Sequence, residues 1–199
     1  MNRPLILASA SKSRANLLRA AGIAVEIVPA HADEEAVKAS LKGEGATVAQ
    51  CAEMLAELKA VQVSQRYDNA LVIGADQMLE CDGVWFDKPA DMAAARSHMM
   101  ILRGKTHVLP TAVAVALNGA RIWHHVAMPR LTVRPLSDAF IETYLESAGT
   151  SVLSSVGAYQ LEGLGAQLFS KIEGDFFTIL GLPLLQLLAF LREHEVLPQ

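Results

Sequence analysis

Cysteine is scarce in this chain, and positive charge is not in excess. Only Cys51 and Cys81 occur among the 199 residues, and their spacing fits no metal-binding motif. Two cysteines cannot form a disulfide framework, so the sequence favours a reduced, cytoplasmic location. The formal net charge of -4 argues against a protein that binds nucleic acid through a basic surface. We therefore expect a cytoplasmic protein without a nucleic-acid partner.

Long uninterrupted apolar segments are also missing. The apolar segment at the N-terminus is too short for a signal peptide, and charged residues follow it at once. The most hydrophobic stretch, residues 176–191, is interrupted by Gly181 and Pro183 and falls short of a membrane-spanning helix. We therefore expect no membrane partner. Hydrophobic residues make up 52% of the chain and charged residues 19%, which predicts a large core rather than disorder.

The order of expected strands and helices indicates the fold class. The length of 199 residues suits one sizeable α/β domain or two tightly joined lobes, and no internal repeat or long linker divides the chain. Strand-like segments alternate with helical segments, but two hairpin turns interrupt the alternation. One turn is Asp82-Gly83, and the other is Asn118-Gly119 between strands expected at 107–117 and 121–133. We predict an α/β fold with flanking helices and a mixed rather than wholly parallel sheet.

The first helix is expected directly after a short apolar strand. Ser11 is a suitable N-cap, the helix extends to Ala21, and Gly22 ends it. Hydroxyl groups and Arg14 therefore gather at a helix N-terminus, where outward N–H groups and the helix dipole favour an anion. An ordinary capped helix with solvated cations fits the same pattern. Residues 31–45 are predicted to form a polar connection.

Two further charged residues stand at positions suited to a ligand. Asp76 follows the buried apolar stretch 71–75, and the carboxyl end of such a strand faces the ligand-binding edge of α/β proteins. Gly74 permits the close approach of another backbone or a ligand. Lys88 precedes Pro89, which restricts the lysine to an extended backbone, and a lysine point charge suits a phosphate. A turn-forming aspartate and a solvated lysine are the plainer alternatives.

Other motifs of catalysis are weak or absent from the sequence. The stretch 157–165 is rich in glycine and permits tight turns around a ligand. It lacks the lysine and hydroxyl of a P-loop and the spacing of a dinucleotide-binding motif. The histidines form no metal-binding pair, and no serine nucleophile motif is present. Nothing in the sequence therefore suggests a covalent serine or cysteine mechanism.

Several short motifs follow one another in a specific order along the chain. They are Leu7-Ala8-Ser9-Ala10-Ser11 with Arg14, Asp33-Glu34, Lys59-Ala60, Gly74-Ala75-Asp76, Lys88-Pro89, Leu102-Arg103-Gly104-Lys105-Thr106-His107, Thr111-Ala112-Val113, Gly157-Ala158-Tyr159, Glu162-Gly163, Gly174-Asp175 and Gly181-Leu182-Pro183-Leu184. Together they resemble the Maf family of nucleoside triphosphate pyrophosphatases over almost the whole chain. The resemblance implies a single Maf-like domain with an elongated, inosine-triphosphatase-like fold, in which two lobes flank a central cleft.

The resemblance also implies an activity and roles for individual residues. The activity is hydrolysis of a nucleoside triphosphate to the monophosphate and pyrophosphate, with Mg²⁺ or Mn²⁺ as cofactor. The residues that would hold the triphosphate are Ser11, Arg14, Lys59 and Lys88. Asp76 and Glu34 would hold the metal or prepare the attacking water, and Asp76 is the expected catalytic carboxylate. Asp76, Glu34 and Lys59 thus form the predicted catalytic set, since cations and a metal stabilise charge on phosphate oxygens.

Three positions depart from the pattern of family members that act on dTTP and UTP. Ser13, Gln77 and Glu162 stand where those members have Arg, Thr and Gln. Gln77 and Glu162 resemble the members that act on 7-methyl-GTP, and both are expected to bind substrate. An ionised Glu162 can accept hydrogen bonds from a guanine edge and attracts the positive charge of N7-methylation. Tyr159 is expected to stack on the base, although the 157–159 motif also occurs in the pyrimidine branch.

The expected substrate is therefore a nucleoside triphosphate, with 7-methyl-GTP preferred. Three alternatives stay open: a dTTP/UTP pyrophosphatase, a nucleotide-binding regulator of cell division with little turnover, and a nucleotidyltransferase. The oligomeric state is also open, with a homodimer as one option.

Overall fold

The computed structural model describes residues 3–198, which form two compact units. Within them the first unit holds residues 3–77, 111–127 and 175–198, and the second holds residues 78–110 and 128–174. The strands are β1 (Leu5–Leu7), β2 (Glu26–Ile27), β3 (Leu71–Gln77), β4 (Leu79–Cys81), β5 (Val84–Phe86), β6 (Thr106–Val108), β7 (Thr111–Leu117), β8 (Ala120–Ala127), β9 (Arg130–Val133) and β10 (Phe169–Glu173). The helices are α1 (Lys12–Ala20), α2 (Glu34–Gly43), α3 (Val48–Ser64), α4 (Met92–Leu102), α5 (Asp138–Ala148), α6 (Phe176–Ile179) and α7 (Leu184–Glu193). None of the helices in this described part is long and apolar enough to cross a bilayer.

The sheet of the first unit is mixed, as the sequence predicts. Its order is β2-β1-β3-β7-β8; the first three strands run parallel, and β7 and β8 join by antiparallel pairing. Alternate side chains of β3 face opposite sides of the sheet. Ile73 and Ala75 join a core with residues of α1 and α7, whereas Val72 clusters with Val63 of α3. Asp76, which is in phase with Val72, therefore lies on the α3 side of the sheet.

Small residues let α3 lie very close to this sheet. A Cβ atom added at Gly74 would lie 2.1 Å from the main-chain oxygen of Ala56 and 2.6 Å from the main-chain nitrogen of Ala60. On the neighbouring strand β7, Ala114 pairs with Gly74, so the adjacent position is small as well. The prediction that Gly74 admits a close backbone is confirmed, and the backbone is that of α3.

The second unit is built on an antiparallel sheet with the order β10-β9-β6-β4-β5. The β4–β5 hairpin turns at Asp82 and Gly83, whose φ angles of 52° and 80° confirm the predicted turn. Helices α4 and α5 and three short 3₁₀ segments at 149–154, 156–158 and 164–168 belong to this unit. The α/β fold thus contains two five-stranded sheets, whereas the sequence predicts a single mixed sheet.

The long second hairpin is divided between the two sheets. Its tip at residues 118–119 connects β7 to β8 as predicted. Beyond these strands the Leu109 N–H donates to the Pro129 carbonyl at 2.9 Å, and the pairing continues as β6 with β9 in the sheet of the second unit. Pro110 and Pro129 lie at the two points of interruption, and a proline has no N–H group for a strand ladder. The predicted longer hairpin over 107–117 and 121–133 is confirmed in its pairing, with an interruption of the strands at residues 109–110 and 128–129.

Residues 31–45 contain the helix α2 instead of the predicted polar connection. Asp33 is its N-cap, with Oδ1 accepting the Ala36 N–H at 3.0 Å. Glu34 and Glu35 lie in the first turn, where acidic side chains complement the helix dipole. No residue of α2 is buried. Its half-buried face includes Val37 and Leu41 but also Glu34 and Lys38, so the apolar pattern is too sparse to indicate a helix in the sequence.

Candidate active site

The N-terminal end of α1 has the capped geometry that the sequence predicts. The Ser11 side chain accepts the Arg14 N–H at 3.4 Å, which confirms Ser11 as the N-cap. The Ser9 hydroxyl oxygen lies behind it and accepts the Ser11 N–H at 3.2 Å. Gly22 follows the helix with a φ of 77°, as expected of a terminating glycine. Two hydroxyl groups therefore shape the turn that leads into the helix.

The Arg14 side chain is anchored by three hydrogen bonds. Its Nε donates to the Gly181 carbonyl at 2.8 Å, and its Nη1 donates to the Ala75 carbonyl at 2.8 Å. Nη1 also donates to the Ser9 hydroxyl at 3.2 Å. None of these bonds uses Nη2, so the outer edge of the guanidinium keeps two N–H donors. Arg14 is thus a cation fixed next to the end of β3.

Lys59 is shared by two carboxylates. Its Nζ lies 2.6 Å from Oδ1 of Asp76 and 2.9 Å from Oε1 of Glu34. The side chains of Lys59 and Asp76 are each 9% exposed, whereas that of Glu34 is 42% exposed. The three residues of the predicted catalytic set therefore meet in the structure.

Arg14 interacts electrostatically with the cluster formed by Lys59, Asp76 and Glu34. Partial burial acts to raise the pKa of Glu34, but the hydrogen bond and charge of Lys59 outweigh it, so the pKa is lowered. Burial lowers the pKa of Arg14, and the charges of Asp76 and Glu34 oppose that shift. The cluster combines two cations with two carboxylates, so their charges nearly cancel. A phosphate chain bound here would therefore need additional positive charge.

Local features explain how these side chains come together. Because α3 lies close to β3 at Gly74, Lys59 on the helix comes beside Asp76, which is two residues beyond Gly74 on the same strand face. Asp76 is the penultimate residue of β3, slightly earlier than the predicted position after the strand. Glu34 is the first residue of α2, and the N-cap Asp33 fixes where that helix begins.

The carboxylates limit which metal the site could hold. Among residues 3–198, no group of three or more His, Cys, Asp or Glu side chains could hold a metal ion. Asp76 and Glu34 provide two carboxylates, and both contact the same lysine. Mg²⁺ typically takes one or two carboxylates and completes its shell with waters and substrate phosphates. The donor set therefore fits Mg²⁺ or Mn²⁺ together with a phosphate, and it does not fit a structural zinc site.

Gln77 lies at the end of β3 on the face opposite to Asp76. Its Nε2 donates to the Thr111 hydroxyl at 2.9 Å and to the carbonyls of Thr178 and Ile179, both at 3.1 Å. These acceptors use both N–H groups of the amide. Any hydrogen bond between Gln77 and a substrate must therefore be accepted by Oε1.

Lys88 and Glu162 belong to the second unit. Lys88 is exposed in the segment between β5 and α4, and Glu162 is exposed in the turn that precedes the 3₁₀ segment 164–168. Both side chains are accessible, as ligand-binding groups must be. Their roles remain predictions.

Tyr159 cannot stack on a base, contrary to the prediction from the sequence. The residue is only 5% exposed, and its ring packs edge-on against Phe169 with the centroids 4.9 Å apart. Its hydroxyl lies 2.8 Å from Nε2 of His107. Burial raises the pKa of Tyr159, so the phenol stays protonated. Tyr159 is therefore a core residue of the second unit.

Three residues of the site escape prediction from the sequence. The sequence does offer a signal for Ser9, because it is a hydroxyl residue two positions before the N-cap. Thr178 has none, since it acts through a main-chain carbonyl that no side-chain pattern reveals, and Gly181 is marked only by the motif Gly181-Leu182-Pro183-Leu184.

Phosphate groups are the ligands to which such a site is suited, because it joins a helix N-terminus to a fixed arginine and a lysine. The class that the fold and the site define is an α/β protein that acts on a phosphorylated ligand. More narrowly, the chain belongs to the Maf family: the family model described as Maf-like protein matches residues 4–194. The resemblance found in the sequence is thereby confirmed.

Several named relatives are similar over nearly their full lengths. A protein of Paramagnetospirillum magneticum named nucleoside triphosphate pyrophosphatase is 58% identical over 194 residues, which cover 97% of this chain and 100% of that protein. A Rhodospirillum rubrum protein of the same name is 53% identical over 194 residues, or 98% of this chain and 96% of that protein. A Rhizobium johnstonii protein named 7-methyl-GTP pyrophosphatase is 50% identical over 193 residues, or 97% of each.

Proposed function

We propose that this chain is a nucleoside triphosphate pyrophosphatase, which cleaves the bond between the α- and β-phosphates and releases pyrophosphate. The observation that carries the proposal is the Lys59 ammonium held between Asp76 and Glu34, with Arg14 fixed nearby. The names of the relatives in the Maf family support the same activity. One Maf-like domain over residues 1–199 is part of the proposal, since a single family model spans both units.

Asp76 acts on the attacking water in this proposal. A water oxygen attacks the α-phosphorus, the bond to the bridging oxygen breaks, and pyrophosphate leaves with the bond electrons. Asp76 orients the water and takes its proton, and Lys59 holds that carboxylate in place through the 2.6 Å contact. Glu34 shares Lys59, so the lysine is steadied from two sides.

The triphosphate is bound by cations and by the start of α1. Arg14 offers the two N–H groups of Nη2, which its three structural hydrogen bonds leave unused. Ser11 and the first turn of α1 add a hydroxyl and the positive end of a helix dipole. Lys88 contributes a further positive charge.

A divalent metal completes the charge balance of the site. The four charged groups of the cluster nearly cancel, so a bound triphosphate needs Mg²⁺ or Mn²⁺. Asp76 and Glu34 are the residues that would hold the ion, and the ion supplies neutralisation of phosphate charge.

The base is a modified guanine in this proposal, with 7-methyl-GTP as the substrate. Two relatives named 7-methyl-GTP pyrophosphatase are 50% and 49% identical to this chain, which supports the choice. Glu162 and the Oε1 atom of Gln77 both accept hydrogen bonds, and a guanine edge offers N–H donors. Uracil and thymine present two carbonyl acceptors to such groups, so they would be partly mispaired.

The enzyme acts in the cytoplasm according to the same proposal. Cys51 and Cys81 are both buried and neither forms a disulfide, which is what a reducing compartment favours.

Pyrophosphate release from 7-methyl-GTP, GTP, UTP and dTTP, with Mg²⁺ or Mn²⁺, tests the proposal. We expect the highest kcat/KM on 7-methyl-GTP and a loss of that preference in Glu162→Gln. A wild-type preference for UTP or dTTP would contradict the base assignment but not the activity. Nucleotide binding without pyrophosphate release would indicate a regulator, and release that requires an acceptor would indicate a nucleotidyltransferase.

A further inference from the structure

We infer, building on the proposed function, that Asp175 is a positioning residue that sets the orientation of both Arg14 and Gln77. It contacts neither side chain through a hydrogen bond. It acts through the segment 175–181, whose main-chain carbonyls hold both of them. All these residues lie in the first unit.

Asp175 fixes the start of that segment with both of its carboxylate oxygens. Oδ1 accepts the Thr178 N–H at 2.9 Å, which makes Asp175 the N-cap of α6. Oδ2 accepts the Thr178 hydroxyl in a short hydrogen bond. Thr178 is fully buried and Asp175 is partly exposed, so this pair of bonds is partly shielded from water. A four-residue helix has little stability of its own, and its shape therefore depends on this cap.

The carbonyls of the capped segment reach two residues of the site. A helix leaves its last carbonyls without partners inside the helix, and here side chains bind them, together with the Gly181 N–H, which donates to the Thr178 carbonyl at 2.9 Å. The carbonyls of Thr178 and Ile179 accept from Nε2 of Gln77, both at 3.1 Å. The Gly181 carbonyl accepts from Nε of Arg14 at 2.8 Å.

Gly181 shows how closely the segment is fitted to Arg14. Its φ of 109° is a backbone conformation that other residues rarely adopt. A Cβ atom at this position would lie 3.4 Å from Nε of Arg14, which is an ordinary van der Waals contact. The main chain at Gly181 therefore lies directly against the guanidinium group.

Loss of the Asp175 cap should loosen Arg14 and Gln77 together. Arg14 would then hold the phosphates less firmly, and Gln77 would present its Oε1 to the base less consistently. No hydrogen bond among the described residues links the segment to Lys59, Asp76 or Glu34. The chemical step should therefore suffer less than substrate binding.

Kinetics of three variants test the positioning role. Asp175→Ala is expected to raise KM for 7-methyl-GTP about tenfold, to change kcat by less than about twofold, and to reduce the preference for 7-methyl-GTP over UTP. Asp175→Asn keeps an oxygen that can cap α6, so its KM is expected within about threefold of wild type. The control is Ser137→Ala, which removes the N-cap bond of α5 in the second unit, at 3.1 Å from the Phe140 nitrogen, and should leave KM unchanged. A wild-type KM and base preference in Asp175→Ala would overturn the inference.

A nucleotide-free measurement separates this inference from the proposed function. Hydrogen exchange of the Arg14 Nε–H, followed by ¹⁵N NMR and assigned with Arg14→Lys, is expected to be slow in the wild type and in Asp175→Asn. It is expected to be at least about tenfold faster in Asp175→Ala. If the wild-type protein released no pyrophosphate from any nucleotide, the proposed function would fail, and this exchange rate would decide the positioning role alone. Unchanged exchange in Asp175→Ala would then overturn it.

Discussion

Lys59 is the residue on which the candidate site depends most. A lysine side chain that is 9% exposed loses most of its hydration, and its contacts with Asp76 and Glu34 compensate for that loss. Removing one member of a buried ion pair typically costs about 3–5 kcal/mol, because the other charge stays behind unpaired. Variants of this cluster therefore need a stability measurement beside every rate.

Asp76→Asn is expected to lower turnover by about a hundredfold or more, because it removes the carboxylate that prepares the water in the proposed function. The fold should persist, since asparagine has nearly the same shape and Lys59 keeps Glu34 as a partner. Pyrophosphate release and thermal unfolding measure the two effects. Asp68→Asn, at an exposed position in the turn before β3, is the matched control and should keep the wild-type rate. Near-normal turnover in Asp76→Asn would show that another group is the catalytic carboxylate.

Arg14→Ala and Lys88→Ala are expected to weaken binding of the triphosphate. A charge-assisted hydrogen bond to a phosphate is worth about 1.5–3 kcal/mol, and the effect of an exposed charge such as Lys88 should shrink as salt is added. KM measured at several ionic strengths checks this expectation. Arg19→Ala removes an exposed arginine from the last turn of the same helix and should behave as wild type. Unchanged KM and kcat in both variants would mean that the triphosphate binds elsewhere.

At the scale of elements, the contact between α3 and β3 builds the site. Gly74→Ala is expected to destabilise the protein by about 1–3 kcal/mol, because the new Cβ would lie 2.1 Å from the Ala56 carbonyl oxygen and α3 would have to move. The same movement shifts Lys59 relative to Asp76, so turnover should fall as well.

Urea unfolding and pyrophosphate release measure both consequences of this change. Gly43→Ala is the control, since a Cβ there meets nothing within 4 Å. Equal stability and activity of the two variants would show that the close packing of α3 is dispensable.

At the scale of the whole molecule, the stability of the protein should depend on pH through His107. This residue is 1% exposed, and burial lowers its pKa from 6.5 to about 4. In the unfolded chain the imidazole titrates near 6.5, so below that pH the unfolded state binds a proton that the folded state excludes. The contribution of His107 is therefore fully present above about pH 6.5 and is lost as the pH falls towards 4.

Trp85 fluorescence can report the unfolding of the segments around His107. Trp85 lies in the second unit with His107, and Trp123 lies in the first. In a Trp123→Phe background, the urea transition reported by Trp85 should weaken from pH 7 to pH 4.5, by up to about 2–3 kcal/mol. His107→Gln should flatten part of this slope, whereas His31→Gln, at an exposed position, should not. Equal slopes in both variants would contradict the assignment to His107.

Local structure could be predicted from the sequence because its causes lie within a few residues. The Ser11 cap and the two turns at 82–83 and 118–119 depend on single side chains and on backbone conformations open to glycine and asparagine. The glycine at 74 could also be interpreted correctly, since a glycine within a buried strand is typical of a place where another backbone comes close. Family motifs supplied the predicted roles of individual residues, which no local rule supplies.

Tertiary structure alone decided how these pieces combine. Lys59 meets Asp76 because α3 packs on β3, and residues 17 positions apart have no local relation. Packing also buries Tyr159 and places the Gln77 amide where it donates to main-chain carbonyls near residue 178. In the sequence, both side chains are candidates for substrate binding. The division of the second hairpin likewise depended on which sheet each half could join. Such contacts join residues that are far apart in the sequence. They form only when distant segments bury their apolar surfaces against each other and exclude water.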